Sequence, residues 1–188
     1  MRITGGLACG IPLRLPARGE IRPATDYLRE AVFSSLGAFV PGARVLDFFA
    51  GTGAYGLEAI SRGARSAVFV EKNPAAAVAI RENTAAVAKA CAVDARVAGI
   101  VTADALRWTP PEGEGGFDLI FCDPPWSLWQ EEAEALVSRL AAWFSGPDAR
   151  IVLEAPGGWS PPVPSGWKLH RQLARGKGQP AASILRPE

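Results

Sequence analysis

The chain is poor in the residues on which several chemistries depend. It has one histidine, His170, and three cysteines, Cys9, Cys91 and Cys122, isolated from one another and not in C-x-x-C pairs. An odd, scattered set of cysteines indicates neither a disulfide framework nor a zinc site. One histidine cannot build a multi-histidine centre, so no metal is expected. No G-x-S-x-G motif supports a serine hydrolase. No apolar run is long enough to cross a bilayer. The opening MRITGGLACGIPLRLPARG lacks the continuous apolar stretch of a signal peptide. The expectation is a cytoplasmic protein without membrane contact, and a monomer.

Charge of one sign is also scarce: the net value is +1. Its distribution is uneven. Residues 1–30 carry Arg2, Arg14, Arg18, Arg22 and Arg29 against three acids, and residues 165–188 carry Lys168, Arg171, Arg175, Lys177 and Arg186 against Glu188 alone. Basic ends on an acidic middle suit a phosphate-bearing partner held by the termini, and equally a solvated surface without one.

What is present is an ordinary globular composition, 48% hydrophobic and 21% charged over 188 residues, enough for one full core. The expected organisation is a single domain over 1–188. A β-hairpin extension occupies 1–25, from the glycine-punctuated alternation RITGGLACGIPLRL, and a core occupies 26–188. Thr25 or Asp26 can cap a helix to about Leu36, with Leu28, Ala31, Val32, Ser35 and Leu36 on one face. From Ala43 the pattern alternates. Strands are predicted at 43–48, 66–70, 95–102, 117–122 and 149–154, with helices at 54–61, from Pro74 to about 90, and 131–144. A last antiparallel pair is predicted at 167–173 and 182–185. Such alternation predicts an α/β fold: a mostly parallel seven-stranded sheet with helices on both faces. Ligands then bind at the carboxyl ends of the strands, where Asp47, Glu71, Asp104 and Asp123 stand.

The first strand runs into Asp47-Phe48-Phe49-Ala50-Gly51-Thr52-Gly53-Ala54-Tyr55-Gly56, a literal G-x-G-x-x-G. Its glycines allow a tight turn and a close approach to a ligand, although any sharp strand-to-helix turn asks for glycine. Glu71 ends the second strand, where a carboxylate can accept from ribose hydroxyls. Asp47 would repel the pyrophosphate of a dinucleotide. It suits S-adenosylmethionine, which carries an amino group and a sulfonium and no phosphate. Asp104 can reach an adenine amino group or simply cap the next turn.

Asp123-Pro124-Pro125-Trp126 follows the fourth strand and is the most specific signal in the chain. The amine of a nucleobase is a poor nucleophile because its lone pair is delocalised into the ring. A carboxylate and a backbone carbonyl, here Asp123 and Pro124, can accept its two N–H groups and orient it. Prolines keep the loop stiff and free of competing donors. Trp126 can stack on a flipped or splayed base. Catalysis would rest on proximity and alignment. Cys122 is expected to pack in the strand; a cysteine-dependent pyrimidine methyltransferase would need a Cys where a proline stands.

DPPW resembles the [DNS]-PP-[YFW] motif of amino-group methyltransferases. With MRITGG, IRPATDYLREAVF, VLDFFAGTGAYGLEAISRGA, VFVEKN, FCDPPW and WKLHRQ, nearly the whole chain is similar to the bacterial 16S rRNA guanine-N2 methyltransferases that act at the guanine conventionally numbered 966. The resemblance implies a Rossmann-like, S-adenosylmethionine-dependent methyltransferase fold. It implies methyl transfer to guanine N2, with 16S rRNA in an assembled or partly assembled small subunit as partner. It places the cofactor at Asp47, Phe49, Ala50, Gly51, Thr52, Gly53, Glu71, Lys72, Asp104 and Ala105, with Arg22 and Thr25 of the RPATD segment over the cleft. It places the target base at Asp123, Pro124, Pro125 and Trp126, and RNA against Arg2, Arg14, Arg18 and Arg29. The chain departs from the family pattern at Trp126, where Phe or Tyr is usual, at Ala24, at Tyr55 in place of Leu, and in lacking a terminal aromatic.

The alternatives are adenine N6 in DNA or RNA, or a protein glutamine amide, as methyl acceptor. A nicotinamide dehydrogenase would not explain Asp47 or DPPW. An RNA-binding module without activity would not need acids at four strand ends. Trp108, Trp143, Trp159 and Trp167 are expected to pack, Trp129 to pack or to serve the loop beside it, and His170 to lie at the surface.

Overall fold

The computed structural model describes residues 1–16, 26–114, 116–144, 146–173, 176 and 178–188. Seven strands form one sheet: β1 (Arg44–Phe48), β2 (Ser66–Glu71), β3 (Ala98–Thr102), β4 (Leu119–Cys122), β5 (Arg150–Pro156), β6 (Trp167–Leu173) and β7 (Pro180–Pro187). Their order is β3-β2-β1-β4-β5-β7-β6. All neighbours are parallel except those of β7, which runs antiparallel to β5 and β6. From β1 the chain proceeds outward to β2 and β3, then returns to β4 on the other side. A crevice therefore opens between the carboxyl ends of β1 and β4.

The pleat sends alternate residues to opposite faces. Along β1 and β4, Val45, Leu119 and Phe121 join one core with α1 (Asp26–Leu36), α2 (Ala54–Ser61) and α3 (Pro74–Cys91). Leu46, Phe48, Ile120 and Cys122 join a second core with α5 (Ala133–Ala141). The predicted two-sided coverage is what forms. α3 starts where Pro74 indicated, with the Asn73 side chain accepting from Ala75 N.

Several boundaries moved. The third strand begins at Ala98 because Asp94 accepts from Arg96 N at 2.8 Å and caps a 3₁₀ turn over Ala95–Val97. The predicted helix 131–144 is the shorter α5 (Ala133–Ala141), preceded by a separate one-turn α4 (Leu128–Glu131) and set off from it at Glu132 with φ −123°. The N-terminal hairpin is a correction. The chain does fold back, with Ile3 N donating to Ile11 O, Gly10 N to Ile3 O and Leu13 N to Met1 O. Among the described residues a single bridge, Arg2 with Pro12, stands where longer paired strands were predicted. Left-handed Gly6 and Gly10, and Pro12 without an N–H, interrupt any longer ladder. Residues 17–25 of the extension, including Arg18, Arg22 and Thr25, lie outside the described residues. Among the described residues no helix is long and apolar enough to cross a membrane.

Candidate active site at the carboxyl edge of the sheet

The loop after β1 is held in an unusual conformation. Phe49 has φ 64°, Gly51 φ 56° and Gly53 φ 76°. A bulky residue in the left-handed region costs on the order of 1–3 kcal/mol and persists only where its surroundings enforce it. The surroundings are specific. Ala50 N donates to Val70 O at 3.0 Å and Gly53 N to Ala50 O at 2.7 Å. Gly51 N donates to Glu71 Oε2 at 2.8 Å, while Glu71 Oε1 accepts from Asn73 N at 2.7 Å. Thr52 is buried; its hydroxyl faces the Met1 sulfur at 3.4 Å and its carbonyl accepts from Asn83.

Asp47 lies beneath this loop, 3% exposed, and accepts from Gly56 N, in the first turn of α2, at 2.9 Å. Burial pushes its carboxyl up to about 7; the Gly56 hydrogen bond opposes this, the Glu71 charge adds to it, and Arg29 opposes it. Gly56 lets the helix approach: a Cβ there would stand 2.4 Å from the Phe69 ring and 3.2 Å from Asp47 Cβ.

The second half of the site comes from β4. Phe48 pairs with Cys122, so Asp123 emerges beside Phe49, its N–H donating to Phe48 O at 3.3 Å. Asp123 and Trp126 are half-buried, Pro124 is buried and Pro125 exposed. Leu128 N on Pro125 O at 2.9 Å turns the loop into α4. The Cys122 thiol is buried and pushed well up, by burial and then by the Asp123 charge, which removes it as a nucleophile.

Asp104 is exposed after β3. Its Oδ1 accepts from Leu106 N at 3.0 Å, the capping arrangement. Ala105 is buried, and Arg139 of α5 donates to Ala105 O at 2.9 Å and to Leu106 O at 2.5 Å, fixing the loop from below. Lys72 is exposed. The four tryptophans expected to pack do so, half-buried against the second core; Trp129 joins them, 3% exposed, with its indole N–H on Glu154 O at 2.8 Å.

Two residues were given no role in the site from the sequence. Glu154, 4% exposed near the end of β5, accepts from the Tyr55 hydroxyl at 2.7 Å. Tyr55 stacks on Phe121 with centroids 4.7 Å apart. Burial, then the charges of Glu154 and Asp123, hold its phenol well above the usual range. The rule that found the other acids, a carboxylate at a strand's carboxyl end, also points to Glu154 in ARIVLE.

Among the expected RNA contacts, Arg2 and Arg14 are exposed, Arg14 against Glu82 at 3.1 Å. Arg29 is a correction: it is fully buried, donating to Glu58 at 3.3 Å, to Asp26 at 2.9 Å and to the Arg2 carbonyl. A guanidinium clamped between two acids inside the fold cannot reach RNA.

The strand order, with one reversed strand next to the sheet edge, and the ligand-ready crevice define a Rossmann-like methyltransferase fold. The Lactobacillus delbrueckii ribosomal protein L11 methylase shares it at 14% identity, with TM-score 0.62 over 86% of this chain and 77% of that one. Solved structures at higher identity are Escherichia coli yhhF (TM-score 0.78, 32% identity, 100% and 98% of the two chains) and a Thermus thermophilus hypothetical protein (0.74, 32%, 98% of each). Residues 1–183 match the family described as Conserved hypothetical protein 95. The ribosomal RNA small subunit methyltransferase D of Escherichia coli K12 is 33% identical over 94% of this chain and 86% of its own length; that of Haemophilus influenzae is 30% identical over 94% and 89%. The chain belongs to this methyltransferase family.

Proposed function

We propose that the protein uses S-adenosylmethionine to methylate the N2 amine of a guanine in 16S rRNA, the guanine numbered 966 in the family, with an assembled or partly assembled small subunit as substrate. The observation that carries the reading is the pairing, across one crevice, of the Asp123-Pro124-Pro125-Trp126 loop with a glycine loop in which two N–H groups, those of Gly51 and Gly56, are already taken by acids. Glu71 sits on Gly51 N and Asp47 on Gly56 N. These are the donors a pyrophosphate would need, so a dinucleotide fits poorly and a cationic, phosphate-free cofactor fits well.

Asp47, Phe49, Ala50, Gly51, Thr52 and Gly53 form the floor and turn of the cofactor site. Each Glu71 oxygen keeps a lone pair for a ribose hydroxyl. Lys72, Asp104 and Ala105 border the adenine end, and the family resemblance adds Arg22 and Thr25 to the cofactor-binding set. When bound, the cofactor supplies a sulfonium methyl to which an amine nitrogen can add as the neutral thioether leaves. Asp123 accepts one N–H of the amine and the Pro124 carbonyl the other, Pro125 keeps the loop stiff, and Trp126 stacks on the base. Asp123 or water takes the surplus proton. The Tyr55–Glu154 pair supports this loop from beneath.

The test is transfer of label from S-adenosylmethionine to unmodified small ribosomal subunits, with the product nucleoside identified by mass spectrometry. N2-methylguanosine is expected. N6-methyladenosine, or label in protein, would replace the guanine assignment and leave the role of Asp123 standing.

A further inference from the structure

A second charged feature lies outside the crevice. On the face of the sheet that carries α1, three cations stand side by side across three strands. Lys168 of β6 pairs directly with Arg186 of β7. Ile151 pairs with Leu185, which sets Arg150 of β5 next to Arg186 at the following position. Arg150 lies over the Phe39 ring at 4.9 Å, and Arg171, further along β6, donates to Ser35 of α1 at 3.2 Å, so both side chains lie on the α1 face. His170 occupies the β-bulge between Leu169 and Arg171 and is exposed.

Like charges directly opposite one another on a sheet are destabilising. Acids would normally be interleaved, yet among the described residues none of these four cations is in an ion pair. The acids on the adjoining segments are Asp148 and Glu188, both exposed, and Asp118, whose carboxylate accepts from Arg44 N and faces Arg65. Arg186 Nε is buried without a hydrogen-bond partner. Burial and the Arg186 charge lower Arg150; burial, then Arg186, Arg150, Arg171 and Lys168, lower His170. One lysine on β6 would suffice to discourage edge-to-edge pairing. A row that continues inward to β7 and β5 is more than edge protection requires.

We propose that the row Arg150–Arg186–Lys168, with Arg171 and His170, is a docking surface for the phosphate backbone of the RNA that flanks the target nucleotide. The inference rests on the RNA reading above and adds a second contact to it. Glu154 lies four positions along β5 from Arg150, about 13 Å at 3.3 Å per residue. The nucleotide held at Asp123 cannot span that distance; the surrounding folded RNA can. A surface reading only phosphates adds affinity and orientation without sequence choice, which suits an enzyme whose substrate is a shaped particle.

The experiment compares the full chain with its Lys168→Gln/Arg186→Gln variant, and with Arg171→Gln as a second variant. Binding to unmodified small subunits is measured by sedimentation across salt concentrations, alongside methyl transfer. In the double variant the plot of log affinity against log salt becomes shallower by about 0.7–0.9 for each phosphate contact removed. The KM for subunits rises about tenfold, kcat and S-adenosylmethionine affinity stay unchanged, and the melting temperature does not fall, because a facing pair of like charges is removed. Because His170 is the only histidine, its NMR titration in untagged protein reports the surface directly: its pKa rises when a short RNA duplex is added and not when S-adenosylmethionine is. An unchanged salt slope in both variants, or a His170 titration indifferent to RNA, overturns the surface, whether or not the wild type methylates subunits. A reduced slope with no methylation by the wild type retains the surface and overturns the reaction instead. Binding that depends on the row for anionic vesicles and not for subunits also overturns it.

Discussion

At the scale of single residues the proposed roles divide into groups that bind and one, Asp123, that works on the acceptor. Asp123 is half-buried at the crevice and bonded to the scaffold through its backbone. Asp123→Ala is expected to lower kcat by roughly a hundredfold or more, in the range of a lost positioned acid–base group. S-adenosylmethionine affinity should stay within about twofold by calorimetry; a large loss there would move Asp123 into the cofactor site. Trp126→Ala is expected to raise the KM for RNA with little effect on cofactor affinity, and unchanged kinetics would mean that the indole does not stack on the base. Asp47 carries a pH signature. Its carboxyl titrates near 7 in the fold against an ordinary 3.8. Between those values the native protein holds a proton that the unfolded chain has released, so Asp47 lowers stability as pH rises through that window and changes nothing further above it. A bound cation favours the ionised form, so S-adenosylmethionine affinity should rise with pH up to about 7. In Asp47→Asn both dependences should flatten, read as the difference in melting temperature from wild type at pH 5 and pH 8.

At the scale of elements, two contacts decide whether the site is assembled. α2 approaches β1 and β2 through Gly56, where an added Cβ meets the Phe69 ring at 2.4 Å. Gly56→Ala should cost about 1–3 kcal/mol of stability by overpacking. Because Asp47 holds the Gly56 N–H, it should also weaken cofactor binding. α1 is tied to α2 and to the N-terminal segment through Arg29, Glu58, Arg62 and Thr4, with Glu58 accepting from Thr4 N at 2.8 Å and from Arg62 at 2.9 Å. Arg29→Met should destabilise the fold by roughly 3 kcal/mol or more, because it leaves buried acid short of its cation. Denaturant unfolding checks both.

At the scale of the whole molecule, the strand order places every acid of the proposed site along one edge, with the basic row of β5, β7 and β6 about 13 Å further down the sheet. Ligand linkage reports on the edge as a unit. S-adenosylhomocysteine at a hundred times its Kd should stabilise the protein by about 2.7 kcal/mol, seen as a rise in melting temperature, whereas NAD should produce none. A shift with NAD and none with S-adenosylhomocysteine would return the glycine loop to dinucleotide chemistry.

Local pattern was enough for much of this. Strands such as VLDF and LIFC are short apolar runs with an acid within or just past the carboxyl end, Pro74 and Asn73 mark a helix start, and the DPPW loop is legible because its residues are neighbours in the chain. These features depend on interactions within a few residues, so the sequence alone determined the α/β alternation, the glycine turn and the position of the Asp123-Pro124-Pro125-Trp126 loop. Contacts between distant segments were decided only by the tertiary structure. Arg29 reads as a surface cation until α2 brings Glu58 against it. Glu154 and Tyr55, 99 residues apart, meet only because β5 lies beside β4 under α2. The predicted hairpin shrinks to one bridge among the described residues because part of the N-terminal segment turns its polar groups to α2, Leu7 N on Ser61 O and Ala8 N on Ser61 Oγ. The row of cations exists only in the register of β5, β7 and β6, since charges scattered along a chain become one surface when strand pairing aligns them.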